Sequence, residues 1–187
     1  MKYEIKIEGL KGVVHDQRPL PKDEELSKLG LDTGKRLKEK EKTWPMYRRE
    51  IHDATYKNGR GYYLPSVWFS AALVEGGKEV PKGARGSYSK TISRKGLFLE
   101  DEIPFEFKKE KNNGFDFAFF KCWTKTGNLR IRALFKNWKA TVQYQTGEDL
   151  PEQIVKRCWQ EAGCVGVGAS RRYGYGKFKV VSFKKIK

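Results

Sequence analysis

The chain has 187 residues, which is enough for one hydrophobic core and short for two. Aromatic residues make up 13% and are spread along the chain, which excludes an intrinsically disordered protein. Lys and Arg number 39 against 23 Asp and Glu, and the net charge of +16 favours a polyanionic partner, most commonly nucleic acid. Heat-stable proteins also carry charge-rich surfaces, but heat stability does not explain the sign of this imbalance.

Cysteine usage and hydropathy predict a cytoplasmic protein. Cys122, Cys158 and Cys164 are odd in number and form no CxxC pair, and with two histidines in the chain we expect no zinc site. We interpret them as free, buried thiols in a reducing compartment. No stretch approaches the roughly 20 apolar residues of a membrane span, and the N-terminus lacks the apolar core of a signal peptide. We therefore expect no membrane contact and no cofactor.

The first predicted element is a strand. Residues 2–9 alternate, with Tyr3, Ile5 and Ile7 on one face and charged residues on the other, which is typical of a half-buried strand. Residues 15–62 are polar and contain several prolines and glycines. We interpret them as a long insertion within the domain that holds at most one short helix, or alternatively as a disordered excursion.

A strand, a proline and a helix are predicted next. Residues 62–75 become apolar, with a short strand that ends at Pro65. Ser66 is a suitable cap for the following helix, and Gly76 ends it. Glycines and basic residues around position 85 then predict a loop.

Several strands are predicted in the second half of the chain. Residues 96–107 have the composition of short strands, and residues 115–124 alternate between apolar and polar side chains. Residues 128–145 contain two strand-like pieces that meet near Asn137.

The C-terminal elements complete the predicted fold. Residues 149–162 form the clearest amphipathic helix, with Pro151 in its first turn and Gly163 at its end. A basic strand covers residues 177–187. The element order predicts an α+β fold with a ferredoxin-like βαββαβ core, extended by the long N-terminal insertion and extra strands, within a single domain over residues 1–187.

The segment AGCVGVGASRRYGYGKFKV, residues 162–180, is the most informative part of the sequence. Glycines permit positive φ and let backbone N–H groups face phosphate oxygens. Arginines supply paired donors for phosphate, and tyrosines can stack on unpaired bases. A tight turn alone is the alternative, but it needs one or two glycines rather than five. We predict RNA contacts from Gly166, Gly168, Ser170, Arg171, Arg172, Tyr173, Gly174, Tyr175, Gly176 and Lys177, and also from Arg85, Lys90 and Arg94.

The same residues resemble a known family. An amphipathic helix followed by GVGASRRYGYGKFKV resembles the C-terminal signature of RAMP proteins, the ferredoxin-like RNA-binding subunits of CRISPR systems. YLPSVWFSAALVE (63–75) resembles the strand–proline–helix segment of their backbone subunits. The resemblance covers the two ends of the fold. It implies a modified RRM fold that holds single-stranded guide RNA on the sheet and the glycine-rich loop, with copies of itself and other CRISPR subunits as partners.

Some RAMP relatives cleave RNA, using a histidine as general acid or base or an aspartate with a divalent metal. The corresponding candidates here are His15, Asp16, His52 and Asp53. Because such dipeptides are common in polar loops, we expect a binding protein without catalysis or a metal site. An endoribonuclease of the same fold, a virus-borne relative that interferes with a CRISPR complex, and a factor that docks on a protein partner remain the alternatives.

The sequence leaves the role of some strand residues open. Arg130 and Arg132 flank Ile131 on a predicted strand, and they bind RNA only if their face of the sheet is the binding platform. The tryptophans predicted to fill the core are Trp68, Trp138 and Trp159.

Overall fold

The computed structural model describes residues 1–16, 43–83, 86–123 and 129–186, and its fold is α+β, as predicted. Every strand pairing among these residues is antiparallel. The strands are β1 (Lys2–Gly9), β2 (Val13–Val14), β3 (Lys57–Asn58), β4 (Gly61–Pro65), β5 (Gly96–Phe98), β6 (Glu102–Lys108), β7 (Ala118–Trp123), β8 (Leu129–Thr146) and β9 (Phe178–Ile186). The helices are α1 (Trp44–Asp53), α2 (Ser66–Gly76), α3 (Ser89–Lys95) and α4 (Glu152–Val165), with 3₁₀ turns at Gly77–Glu79 and Arg171–Tyr173.

The first strand is confirmed as predicted. Tyr3, Ile5 and Ile7 are at most 1% exposed, whereas the charged residues between them lie on the open face of the sheet. β1 lies in the centre of the sheet, where it pairs with β8 on one side and β9 on the other. The strand order β6–β8–β1–β9 therefore places its apolar side chains at the centre of the core.

Two helices cover the apolar face of these four strands. Phe69 of α2 lies 6.0 Å from Trp159 of α4, measured between ring centroids, and Trp159 lies 5.4 Å from Tyr144 of β8. The helices approach closely at Gly76, because a Cβ atom there would overlap the backbone of Ala162. The predicted strand that ends at Pro65 and the helix that follows it are both confirmed.

Strand β8 is one strand of 18 residues rather than two. Its first part pairs with β2 and β7, and its second part pairs with β1 on one side and with β5 and β6 on the other. The change of partners falls near Asn137, whose φ of +48° lies in the left-handed region that asparagine tolerates better than most residues. The sequence therefore indicated the irregular position correctly but not the continuity of the strand.

One helix was not predicted, and the end of another lies further along the chain than predicted. Helix α3 occupies part of the region predicted as a loop, and it is held by the buried side chain of Ile92 and by Ser89 Oγ, which donates to the carbonyl of Val74 at 2.8 Å. Helix α4 continues past Gly163, where the missing side chain lets the carbonyl of Phe178 approach the helix. It ends at Gly166, which has a φ of +84°.

The described part of the predicted insertion contains α1, which buries Tyr47 and Ile51 against the core. Residues 17–42 lie outside the described residues. None of the helices in the described part of the chain is long and apolar enough to cross a bilayer.

The predicted core tryptophans are largely confirmed. Trp138 and Trp159 are fully buried, and Trp68 is half-buried against the same core. Of the thiols predicted to be buried, Cys158 is buried, but Cys164 is exposed because it lies on the solvent side of α4. All three cysteines are free.

Candidate nucleic-acid interface

The glycine-rich loop, residues 166–177, joins α4 to β9 and is held on the turn between β1 and β2. The N–H of Gly176 donates to the carbonyl of Gly12 at 2.9 Å, and the N–H of Ala169 donates to that of Val14 at 2.9 Å. The N–H of Val167 also donates to the carbonyl of Gly176, at 3.0 Å, which closes the loop on itself. The loop is therefore a backbone structure with fixed anchors at both ends.

Three of its glycines are required by close backbone packing. A Cβ atom on Gly166 would lie 2.9 Å from the backbone of Gly176, and one on Gly168 would lie 2.8 Å from the carbonyl of Val14. A Cβ atom on Gly176 would overlap the carbonyl oxygen of Val167. All three glycines have positive φ, and so does Gly174, where a Cβ atom would meet only the Lys11 side chain, at an ordinary contact distance of 3.9 Å. The tight-turn interpretation therefore accounts for most of the glycines in the loop.

The tip of the loop is its accessible part. Arg171, Arg172 and Tyr173 are exposed, and Tyr173 is 54% exposed. The Arg172 guanidinium lies 4.7 Å from the centroid of that ring. Within the described residues, neither arginine forms an ion pair with a carboxylate. The loop thus presents two guanidiniums and one aromatic face to solvent.

Lys11 extends this surface and was missed by the sequence analysis. Its ammonium group donates to the carbonyl of Tyr173 at 2.8 Å and lies 4.1 Å from the centroid of the Tyr175 ring. A single lysine beside Gly12 gives no local signal, because its position depends on a contact with residues more than 160 positions away.

The other predicted loop residues differ in accessibility. Tyr175 is half-buried, with its ring 4.8 Å from that of Phe120, so Tyr173 is the loop tyrosine better placed to stack on a base. Lys177 is exposed, Ser170 is half-buried with a φ of +61°, and Gly176 is buried.

The predicted basic residues near α3 belong to another part of the molecule. Lys90 and Arg94 are both exposed, but α3 contacts α2 and β5, whereas the loop contacts the β1–β2 turn. Arg85 lies outside the described residues. The structure therefore does not join these residues to the loop in one continuous contact.

His15 is a residue of the core rather than an accessible acid or base. Its side chain is fully buried among aromatic rings, with those of Trp68 and Phe135 at 5.3 and 4.5 Å between centroids. Burial lowers the pKa of His15 to about 3, which keeps the ring neutral at pH 7. Its Nδ1 atom accepts the N–H of Tyr56 at 3.3 Å. A role in proton transfer is not compatible with this environment.

Asp16 and Arg132 form an ion pair. Arg132 is 8% exposed and donates to Asp16 at 2.5 Å and to Glu50 at 2.7 Å, which ties β8 to α1. Of the two strand arginines whose role the sequence left open, Arg132 is therefore used in the fold, while Arg130 is half-buried. An aspartate held by a buried guanidinium is a poor candidate for binding a catalytic metal.

His52 and Asp53 lie at the end of α1. The side chain of His52 is 76% exposed, and its Nδ1 lies 3.4 Å from one carboxylate oxygen of Asp53, whose other oxygen lies 3.7 Å from Arg49 Nε. The part of the chain that the structure describes contains no cluster of three or more His, Cys, Asp or Glu side chains suited to a metal ion.

The open face of the sheet carries charges of both signs. Glu8 accepts from Lys139 at 3.3 Å and from Lys179 at 3.0 Å, and these lysines hold the pKa of Glu8 below its usual value. Lys6 lies 3.8 Å from Glu4 on the same face. This surface is therefore mixed in charge rather than uniformly basic.

Comparison with models of known protein families gives no match, and no curated protein has a significantly similar sequence.

Proposed function

We propose that this chain is an RNA-binding protein of the RAMP type, which holds single-stranded RNA at the tip of its glycine-rich loop. The observation that carries the proposal is the exposed group of Arg171, Arg172 and Tyr173 on a loop with a fixed backbone. Guanidiniums donate to phosphate oxygens, and an adjacent exposed ring offers a stacking surface for an unpaired base. Lys11 adds a fourth group at the same place.

The chain topology supports the comparison with RAMP proteins. Helix α2 lies in the sequence between β1 and β6, and α4 lies between β8 and β9. Combined with the strand order β6–β8–β1–β9 and two helices on one face, this connectivity supports a split βαβ arrangement, which is the basis of ferredoxin-like and RRM folds. We propose that this arrangement is the core, and that β2, β3, β4, β5 and β7 are additions to it.

The proposed ligand is a guide RNA in a cytoplasmic CRISPR-type ribonucleoprotein, alongside other subunits or copies of this chain. Holding rather than cleaving RNA is the activity that the side chains favour, because His15 is buried and neutral and Asp16 is bound by Arg132. Co-purification of the chain with a protein complex but without nucleic acid would instead favour the factor that docks on a protein partner.

The test is a titration of an unstructured, fluorescently labelled RNA with the wild-type chain and with a variant that carries Arg171→Ala and Arg172→Ala. We expect the double variant to bind at least about tenfold more weakly, since charge-assisted hydrogen bonds contribute about 1.5–3 kcal/mol each. The dependence of log K on log salt concentration should become shallower by about 1.4, because each single-strand phosphate contact contributes roughly 0.7. Tyr173→Leu should weaken binding without changing the salt dependence.

The matched control carries Lys139→Ala and Lys179→Ala, which removes two cations from the open face of the sheet. This control should change RNA affinity less than the loop variant does, because both lysines are already paired with Glu8. Equal affinities for the wild-type chain and the loop variant would contradict the proposal.

A further inference from the structure

A second basic surface lies on the other side of β7. An open groove of about 880 Å³ runs between α1, β3 and the turn that precedes β7. Its polar lining includes Arg48, Arg49, Lys57 and Asp53, and its apolar lining includes Phe115 and Tyr62. The volume lies within the range of small-molecule sites in proteins.

The groove has an excess of positive charge. Asp53 lies 3.7 Å from Arg49, so one carboxylate partly compensates one of the three Arg and Lys side chains, and these four side chains together keep a net formal charge of +2. Arg48 and Lys57 lie against rings instead: the Arg48 guanidinium is 5.9 Å from the centroid of Phe115, and the Lys57 ammonium is 5.3 Å from that of Tyr62. A cation beside a ring still has donors that can reach an anion.

The aromatic walls are held in place from behind. The Phe115 ring lies 5.0 Å from that of the buried Phe117 and 5.7 Å from that of Phe119, between centroids. The Tyr62 hydroxyl donates to Asp116 at 3.0 Å, which fixes the orientation of its ring. Two supported rings beside two cations without carboxylate partners in the described residues match a ligand that has both a flat apolar part and a negative charge.

We infer that this groove binds a nucleoside phosphate, with the base against Phe115 or Tyr62 and the phosphate on Arg48 and Lys57. The ligand is either a free nucleotide or one nucleotide of an RNA strand, because both present the same base and phosphate. Inorganic phosphate lacks the base and an uncharged nucleoside lacks the anion, so each uses only half of the lining.

The groove is separate from the glycine-rich loop. Phe120 of β7 contacts Tyr175 of the loop, whereas Phe119 contacts Phe115 at the groove. Successive side chains of a strand point to opposite faces, so the two surfaces lie on opposite sides of β7. The inference therefore does not depend on the proposed function of the loop.

The test is calorimetric titration of the full chain with adenosine monophosphate, adenosine and inorganic phosphate, in parallel with binding of a labelled RNA oligonucleotide. We expect Arg48→Gln and Lys57→Gln each to weaken the monophosphate about tenfold, and Phe115→Leu to weaken it at least about fivefold. Adenosine and inorganic phosphate should each bind at least about tenfold more weakly than the monophosphate. Arg157→Gln on α4 is the matched control and should leave all affinities unchanged, as should the variant with Arg171→Ala and Arg172→Ala for the monophosphate.

The two ligand sources give different results. If the wild-type chain binds the monophosphate and the groove variants bind it more weakly, the ligand is a free nucleotide. If the wild-type chain does not bind the monophosphate but the groove variants bind RNA more weakly, the ligand is an RNA strand. The inference is wrong if the groove variants bind both ligands as the wild-type chain does, or if inorganic phosphate binds as tightly as the monophosphate. Because Lys57 is exposed, Lys57→Gln keeps the test decisive if Phe115→Leu does not fold.

Discussion

The glycine-rich loop and the open face of the sheet are both rich in basic residues, but they differ in where their counter-charges lie. On the sheet, Lys139 and Lys179 share Glu8, because cross-strand neighbours place opposite charges side by side. At the loop tip, Arg171 and Arg172 have no carboxylate partner among the described residues. The comparison teaches that a net charge of +16 does not by itself show which cations are available to a ligand, because many of them already have carboxylate partners.

The two surfaces also differ in how their backbones are held. The sheet face lies on regular strands, whose ladder bonds do not depend on particular side chains. The loop is held on β2 by the carbonyl of Val14 and contains several residues with positive φ. Changes in the core below β2 or in the loop glycines should therefore affect the loop much more than the sheet face.

The largest expected effect is a loss of folding stability at acidic pH, which we attribute to His15, the residue directly after β2. Burial lowers the pKa of His15 from 6.5 to about 3, so between these pH values the unfolded chain binds a proton that the folded chain does not. This contribution to stability is fully present above pH 6.5 and falls with pH by up to about 1.4 kcal/mol per unit. Urea unfolding at pH 7, 6, 5 and 4 should show a shallower loss of stability for His15→Leu than for the wild-type chain. Parallel pH dependences of the two chains would show that His15 does not titrate as expected.

A smaller effect is expected from a methyl group inside the loop. Gly176→Ala should lower the free energy of unfolding by about 2–4 kcal/mol, because the added Cβ overlaps the carbonyl of Val167 at a position with positive φ. Gly174→Ala is the matched control: its φ is also positive, but the added Cβ would overlap no other atom, so it should cost about 1–2 kcal/mol. Equal losses in thermal or urea unfolding would mean that backbone conformation alone explains both glycines.

The smallest effect is expected on the sheet face. Glu8→Gln removes the carboxylate that Lys139 and Lys179 share, so both lysines become available to phosphate. We expect RNA affinity to rise by less than about fivefold, because exposed ion pairs are weak and are screened by solvent. Fluorescence anisotropy at low salt measures this change. A gain larger than the loss caused by the arginine variant of the loop would make the sheet face the main binding surface.

Local sequence patterns predicted the helices and strands whose backbone conformation does not depend on which other elements they pack against. The alternation in residues 2–9 requires only that one face is buried, and the proline at position 65 restricts the backbone wherever it lies. Helix α3 was missed because tertiary contacts, such as the bond from Ser89 to Val74, hold a segment of weak local preference. The continuity of β8 was missed for a related reason, since only its partners show that the chain continues as a strand past Asn137.

Composition predicted the segment that contains the candidate site, but packing decided which of its residues are exposed. The exposed guanidiniums at the loop tip lie in the segment that the sequence indicated, but Tyr175 is half-buried against Phe120 and several glycines serve close packing. The catalytic candidates show the opposite case. His15 lies in a polar stretch of sequence, and only the surrounding rings from distant elements show that it is buried.

The sequence by itself determined the α+β composition, the central strand, the strand–proline–helix segment and the concentration of glycine, arginine and tyrosine near the C-terminus. Tertiary structure alone decided which cations are paired and which rings are exposed. The physical reason is distance along the chain: Arg132 and Asp16 are 116 residues apart, and Lys11 and Tyr173 are 162 residues apart. No local pattern records such contacts, yet they determine where charge remains available for a ligand.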